Sequence, residues 1–92
     1  MGTEILDEVF KVIEDRRDNP KQDSYTSRIL RNESVLDKLN EESEEFIEAV
    51  QGEDKEAIVH EAADLIFHMM VMLAAKGVKL DEVMAELQRR RR

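Results

Sequence analysis

Apolar and polar residues alternate with the 3.6-residue period of an α-helix along most of the chain. The first stretch of this kind carries Ile5, Leu6, Val9, Phe10 and Ile13. Thr3 is placed to cap this helix, which we expect to end near residues 17–18. Turn-forming residues at 18–24 indicate a loop, and a short helix is expected from there to residue 30.

A second helical pattern runs from Ser34 to residues 50–51, and Gly52 is placed to stop it. Asp54 can cap a third helix directly afterwards. The close spacing of the two patterns predicts that the second and third helices are neighbours in space.

The third helix is apolar on nearly all sides between residues 57 and 75, which is typical of a buried, central helix. Gly77 should end it, and a last helix is expected from about Asp81 to the terminal arginine run. The methionines at 69, 70 and 72 are interpreted as core residues. The pattern therefore predicts an all-α fold of four to five helices, with residues 1–92 forming a single domain.

The composition supports a helical domain and limits its partners. Charged residues make up 39% of the 92 residues, with a formal net charge of −8, one proline and three glycines. So acidic a chain lacks the basic face that nucleic acid requires, and no nucleic-acid partner is expected. Cysteine is absent, and we see no apolar run that approaches the length of a membrane span. We therefore expect a cytoplasmic protein without a membrane partner.

Two acidic motifs stand on the second and third helices, Glu41-Glu42-x-x-Glu45 and Glu61-x-x-Asp64. At about 100° per residue, Glu42 falls inside the apolar sector of its helix and Glu45 lies at the edge of that sector. The apolar residues that define the sector are Val35, Leu39, Phe46, Ala49 and Val50. Other acidic residues of this helix project away from the sector, and these are Glu41, Glu44 and Glu48.

On the third helix, Glu61, Asp64 and His68 share one narrow polar strip. Buried carboxylates must be paired or bound to a metal, and oxygen ligands favour a hard cation such as Mg²⁺ or Mn²⁺. Geometry alone leaves open a second interpretation, in which Lys38 and the arginines neutralise these carboxylates. A di-iron site is disfavoured because the Glu-x-x-His pairs that it uses are missing. His68 fits a hydrogen-bonded core residue, or one that orients a carboxylate or a water.

Taken together, these segments resemble the MazG-like superfamily of all-α nucleoside triphosphate pyrophosphohydrolases. Within it they resemble most the phosphoribosyl-ATP pyrophosphatase family of histidine biosynthesis. The similarity rests on the segments 13–17 with Pro20, Ser24-Tyr25-Thr26, 38–45 and 61–68. Asn40 stands where the family usually has glycine, and Phe67 where it usually has tyrosine, so neither departure removes an acidic residue.

The resemblance implies Mg²⁺-dependent hydrolysis of phosphoribosyl-ATP between its α and β phosphates, in a dimer or higher homo-oligomer of intertwined bundles. It implies that Glu42, Glu45, Glu61 and Asp64 hold the metal. It also implies that Glu41, Glu42 and Glu45 are catalytic, with Glu41 as an outer carboxylate or a base. Lys38 is expected to reach phosphate oxygens. By similarity, further substrate contacts are expected from Arg16, Ser24, Tyr25, Thr26 and Arg28.

Two other functions are compatible with the acidic motifs. A pyrophosphohydrolase of free nucleotides such as dCTP, dUTP or a damaged triphosphate would share the acidic site, although Ser24-Tyr25-Thr26 argues against it. A non-catalytic helical association module would use the same carboxylates only in ion pairs. Divalent cations discriminate between the classes, because only a metal site is stabilised by its ion through mass action.

Overall fold

The structure is a computed structural model that describes residues 2–91. These residues form an all-α fold without strands, as the apolar pattern predicted. The five helices, numbered in chain order, are α1 (Glu4–Asp18), α2 (Tyr25–Arg31), α3 (Val35–Gly52), α4 (Lys55–Ala75) and α5 (Leu80–Arg90).

The core lies at one end of the molecule, where the C-terminal half of α4 packs against α1 and α2. Apolar side chains from all five helices contribute to it, namely Phe10, Ile13, Ile29, Val35, Met70, Val71, Ala74 and Leu80. Lys79, just before α5, donates a 2.7 Å hydrogen bond from its ammonium group to Glu14 on α1. The first, second and last helices therefore close around one end of α4.

Helices α3 and α4 form a long antiparallel pair, because only two residues connect them. Asp54 caps α4 as predicted, with its carboxylate accepting from the backbone N–H of Glu56 at 3.1 Å. Gly52, expected to stop α3, is instead its last residue, and Glu53 takes the left-handed conformation with a φ of 59°. At the other end of α4, Gly77 has a φ of 70° and ends the helix as expected.

Thr3 occupies the position before α1, but its side chain forms no capping hydrogen bond. Ser34 likewise precedes α3, which begins one residue after it, without a side-chain cap. Ser24 does cap α2, because its hydroxyl accepts from the backbone N–H of Ser27 at 3.1 Å.

The expectation that α4 is buried on all sides is wrong for the single chain. Its buried residues all lie between 68 and 74, whereas Val59, Ile66 and Met69 are 41–61% exposed. Val50, placed in the apolar sector of α3, is also exposed at 46%. The physical reason is that α4 packs mainly against α3 and α1, which leave part of its apolar surface uncovered.

By length and composition, α4 is also long and apolar enough to cross a membrane, with a mean hydropathy of 1.5 over 18 residues. The prediction that no apolar run approaches this length is therefore wrong. Length and composition are weak evidence of a membrane span, since the core helix of a soluble protein passes the same test.

Candidate active site

Three carboxylates meet where α3 and α4 face each other. Glu42, Glu45 and Glu61 offer oxygen atoms that all lie within 4.8 Å of one another. The spacing within each motif places its residues on one side of the helix, and the short connection between the helices brings the two sides together. The structure thus joins the two acidic motifs in one cluster, which we call the carboxylate site.

Asp64 borders this cluster through Glu61. The ligand atoms of His60, Glu61 and Asp64 form a second group within 4.8 Å. His60 Nε2 lies 3.3 Å from a carboxylate oxygen of Asp64, one helical turn along α4. The fourth predicted ligand is therefore beside the other three, with its carboxylate next to a histidine that the sequence analysis did not single out.

Crowding makes it costly to ionise this site. Burial raises the pKa of Glu42 above its ordinary value of 4.5, and the carboxylates of Glu45 and Asp64 raise it further. Burial also raises the pKa of Glu61, with Glu45 again adding repulsion. Both shifts favour the neutral acid, as expected when like charges share a site.

Two oxygen atoms of the site have no partner within the part of the chain that the structure describes. Glu42 Oε2 and Glu61 Oε1 are buried and accept no hydrogen bond. Lys38, the nearest basic residue along α3, pairs instead with the exposed Glu41 at 3.4 Å. Among residues 2–91, no lysine or arginine forms an ion pair with any of the four predicted ligands.

These observations fit a divalent cation better than the ion-pair interpretation. Buried carboxylate oxygens without a donor or a counter-charge are the ligands that hard cations prefer. The oxygen atoms of Glu42, Glu45 and Glu61 lie within 4.8 Å of one another, so all three carboxylates could contribute to holding one cation.

Tyr25 and His68 connect α2 to α4 beside the acidic residues. The Tyr25 hydroxyl lies 2.8 Å from His68 Nε2, and His68 Nδ1 lies 2.8 Å from the backbone carbonyl oxygen of Asp64. His68 is 5% exposed. A residue of the Ser-Tyr-Thr segment is thus bonded to the helix that carries Glu61 and Asp64.

Comparison with known proteins decides the family. Residues 6–91 match the family model described as phosphoribosyl-ATP pyrophosphohydrolase. This chain belongs to that family. A phosphoribosyl-ATP pyrophosphatase of Haloarcula marismortui is 42% identical over 92 residues, covering 96% of this chain and 94% of that protein.

Two further phosphoribosyl-ATP pyrophosphatases give the same result. The protein of Methanocella arvoryzae is 44% identical over 93 residues, covering 97% of this chain and 98% of its own length. That of Methanosarcina barkeri is 47% identical over 90 residues, covering 94% of this chain and 86% of its own. The resemblance noted in the sequence is confirmed across nearly the whole chain.

In this member of the phosphoribosyl-ATP pyrophosphohydrolase family, the predicted substrate residues are divided between two places. Arg28 lies over the ring of Tyr25, with its guanidinium carbon 5.3 Å from the ring centroid. Ser24 uses its hydroxyl oxygen as a helix cap, and Thr26 is only 8% exposed. Of this group, Tyr25 and Arg28 are the exposed pair.

Arg16 lies apart from the Tyr25 group, on a cleft of about 940 Å³ at the core end of the molecule. There its guanidinium pairs with Asp15 at 2.7 Å. The same cleft is lined by Arg17, Arg31 and Lys76. The structure therefore does not bring Arg16 into the described contacts of the carboxylate site.

Two histidines have closer contacts than the sequence analysis assigned to them. The i, i+4 spacing of His60 and Asp64 was a usable signal, because such residues are neighbours on a helix. The bond from His68 to Tyr25 had no such signal, since 43 residues separate the two. Only the packing of α2 against α4 reveals it.

Proposed function

We propose that this chain hydrolyses phosphoribosyl-ATP to phosphoribosyl-AMP and pyrophosphate, with Mg²⁺ held by Glu42, Glu45, Glu61 and Asp64. Membership of the phosphoribosyl-ATP pyrophosphohydrolase family supports the reaction. The observation that carries the site assignment is the convergence of three carboxylates, two of which have a buried oxygen without a partner. Mn²⁺ is the expected substitute, since it accepts the same oxygen ligands.

Charge explains why such a site suits a polyphosphate substrate. The chain has a formal net charge of −8, so a phosphate group that approaches the carboxylates is repelled unless a cation lies between them. A bound Mg²⁺ would supply Lewis acidity and a more nucleophilic water. The glutamates contribute by holding that charge in a fixed place, which is how most catalysis of phosphate transfer is achieved.

Other side chains receive supporting roles in this proposal. Glu41 is exposed and bonded to Lys38, which suits an outer carboxylate or a base that collects a proton. Lys38, less than one turn away, is proposed to contact phosphate oxygens. Tyr25 and Arg28 form the proposed wall for the rest of the substrate. Ser24, Thr26 and Arg16 are retained as substrate residues on family similarity alone.

We also propose that residues 1–92 act as one domain in a cytoplasmic homo-oligomer, with a dimer as the smallest unit. The support is the apolar surface that α3 and α4 leave uncovered in the single chain. Its large members are 41–61% exposed, and they are Ile47, Val50, Val59, Ile66 and Met69. A second copy covering this face would bury it, and sedimentation of the purified protein measures the assembly directly.

The test of the reaction is pyrophosphate release in the presence of Mg²⁺. Phosphoribosyl-ATP is compared with a panel of free nucleotides that includes ATP, dCTP and dUTP, at equal concentrations. We expect phosphoribosyl-ATP to have the highest kcat/KM. A preference for a free triphosphate would overturn the substrate while sparing the site. Absence of release from every compound, together with no thermal stabilisation by Mg²⁺, would support an association module instead.

A further inference from the structure

We propose that His68 is a positioning residue, which fixes the Tyr25 hydroxyl as a hydrogen-bond acceptor toward the substrate. The inference rests on the proposed function for its substrate, but the bond itself is a property of the fold. Its geometric basis is the chain of two short contacts that runs from Tyr25 through the imidazole of His68 to the carbonyl of Asp64.

The partner on Nδ1 decides the direction of these hydrogen bonds. A backbone carbonyl oxygen can only accept, so Nδ1 of His68 carries a hydrogen and donates it to Asp64. In the neutral imidazole, Nε2 then has a lone pair and no hydrogen, a tautomer assigned here from its bonding partners. The Tyr25 hydroxyl must therefore donate its single hydrogen to Nε2.

Once that hydrogen is committed, the Tyr25 oxygen has only lone pairs to offer. It can accept from a sugar hydroxyl or from an N–H group, whereas an ionised phosphate oxygen is itself an acceptor and gains nothing there. The geometry thus assigns Tyr25 to a ribose hydroxyl or a nitrogen donor of the substrate. The phosphate groups would then be bound by the proposed Mg²⁺ ion and by Lys38.

Aromatic contacts and the bond to His68 together hold the Tyr25 side chain. Tyr25 lies 6.5 Å from the Phe67 ring and 5.7 Å from the His68 ring, centroid to centroid. Phe67 and His68 are in turn edge to face at 5.2 Å. These aromatic contacts hold the ring plane, while the hydroxyl bond fixes where the oxygen points.

Tyr25 is linked to the carboxylate site through His68, which contacts the backbone carbonyl of Asp64. Burial raises the pKa of Tyr25, and the charges of Glu42 and Glu41 raise it further while Lys38 and Arg28 lower it. A shift of α2 away from α4 would therefore move the Tyr25 oxygen relative to Glu42.

The test uses two replacements of His68 with the same length and different chemistry. In His68→Gln the amide oxygen can accept from Tyr25 where Nε2 did, whereas His68→Met fills the space with a thioether sulfur, which is only a weak acceptor. We expect His68→Met to raise KM for phosphoribosyl-ATP about three- to tenfold, the worth of one hydrogen bond. Its kcat should change less than its KM, and His68→Gln should recover most of the loss.

Tyr25→Phe is the matched variant on the other side of the bond, and it leaves the ring packing in place. It should raise KM at least as much as His68→Met does, because it removes both the bond and the acceptor. The double variant should show no loss beyond Tyr25→Phe, since the bond is already absent. Losses that simply multiply, or an unchanged KM in a folded His68→Met protein, would overturn the proposal.

A spectroscopic measurement separates this inference from the proposed function. The chain has one tyrosine and no tryptophan, so near-ultraviolet absorbance above 275 nm reports Tyr25 alone. Loss of a hydrogen bond from the phenol should shift this band in His68→Met and not in His68→Gln. An unchanged band in His68→Met contradicts the bond. Absence of hydrolysis by the unaltered protein contradicts only the proposed function, because the band shift needs no substrate.

Discussion

Charged side chains near the two ends of α4 have opposite surroundings, with paired charges at one end and unpaired like charges at the other. At the core end, Arg17 donates a 2.8 Å hydrogen bond to the carbonyl of Ala74 and a 2.8 Å ion-paired bond to Asp18. At the other end, Glu42 and Glu61 have buried oxygens without partners and neighbours of the same charge. The first arrangement stabilises the fold, whereas the second lowers its stability unless a cation is bound.

This difference separates the charged residues that stabilise the fold from those with a proposed role in function. Satisfied charges such as Arg17 end a helix and hold α1 against α4. Crowded carboxylates without a partner must either take up protons or be compensated by something outside the chain. The carboxylate site is the region of residues 2–91 with this property, and variants at the two ends of α4 should accordingly have opposite effects on activity and stability.

The largest expected effect comes from Glu42→Gln, which keeps the size of the side chain and removes its charge. We expect kcat/KM for phosphoribosyl-ATP to fall at least about a hundredfold, as loss of several kcal/mol of charge stabilisation requires. The metal-free protein should remain folded and become slightly more stable. Pyrophosphate release and urea unfolding measure the two quantities.

The matched control is Glu48→Gln on the exposed side of the same helix. It removes the same charge from α3, so a purely global electrostatic effect would appear in both variants. We expect near-normal activity. Near-normal activity in Glu42→Gln as well would contradict the assignment of the carboxylate site.

A second prediction concerns pH and the metal-free protein. The pKa values of Glu42 and Glu61 are raised above 4.5 in the folded state, so the folded chain binds these protons more tightly than the unfolded chain. The free energy of unfolding should therefore fall as pH rises from about 4.5 through the raised pKa values, and the full penalty should persist above them.

Urea unfolding in EDTA at several pH values checks this sign. Asp18 contributes the opposite slope, because its bond to Arg17 lowers its pKa, and subtracting the curve of Glu42→Gln removes that contribution. The stability advantage of Glu42→Gln should grow with pH and vanish below about pH 4.5. An advantage that is constant with pH would argue against a buried, repelled carboxylate.

At the core end, Arg17→Gln should lower stability without removing activity. It loses the bond to the Ala74 carbonyl and the pair with Asp18. Because the side chain is 30% exposed, we expect a cost of only about 1 kcal/mol in urea unfolding. Arg31→Gln on the same cleft is the control and should cost less. A hundredfold loss of kcat/KM in Arg17→Gln would show that the core end also serves the reaction.

The last two effects are expected at the turns that bound α4, and they have opposite signs. Glu53 holds a φ of 59° with a side chain, so Glu53→Gly should raise the free energy of unfolding by up to about 1 kcal/mol. Gly77→Ala should lower it by about 1 kcal/mol, since the φ of 70° is strained for alanine although its added carbon meets no atom within 4 Å. Two effects of the same sign would contradict this account.

Much of the fold was available from local patterns. Asp54 and Gly77 marked the ends of α4 correctly to within a residue, because caps and breakers act on adjacent backbone groups. Thr3 directly precedes α1 but forms no capping bond. Gly52 was expected to end α3, but the residue with the left-handed conformation is Glu53. Either residue can take this conformation, and the choice depends on how α3 meets α4. Burial of α4 was overestimated because apolar periodicity does not show whether the covering surface comes from the same chain.

The sequence by itself determined the all-α class, the two acidic motifs and the family, because helical spacing and residue identity are local properties. It also separated Glu42 and Glu45 from the outward Glu41, Glu44 and Glu48 by angle alone. Only the tertiary structure decided that Glu42, Glu45 and Glu61 converge without a basic partner, and that the Tyr25 hydroxyl lies within hydrogen-bond distance of His68. Those contacts depend on the distances between packed helices, which periodicity along a single chain does not contain.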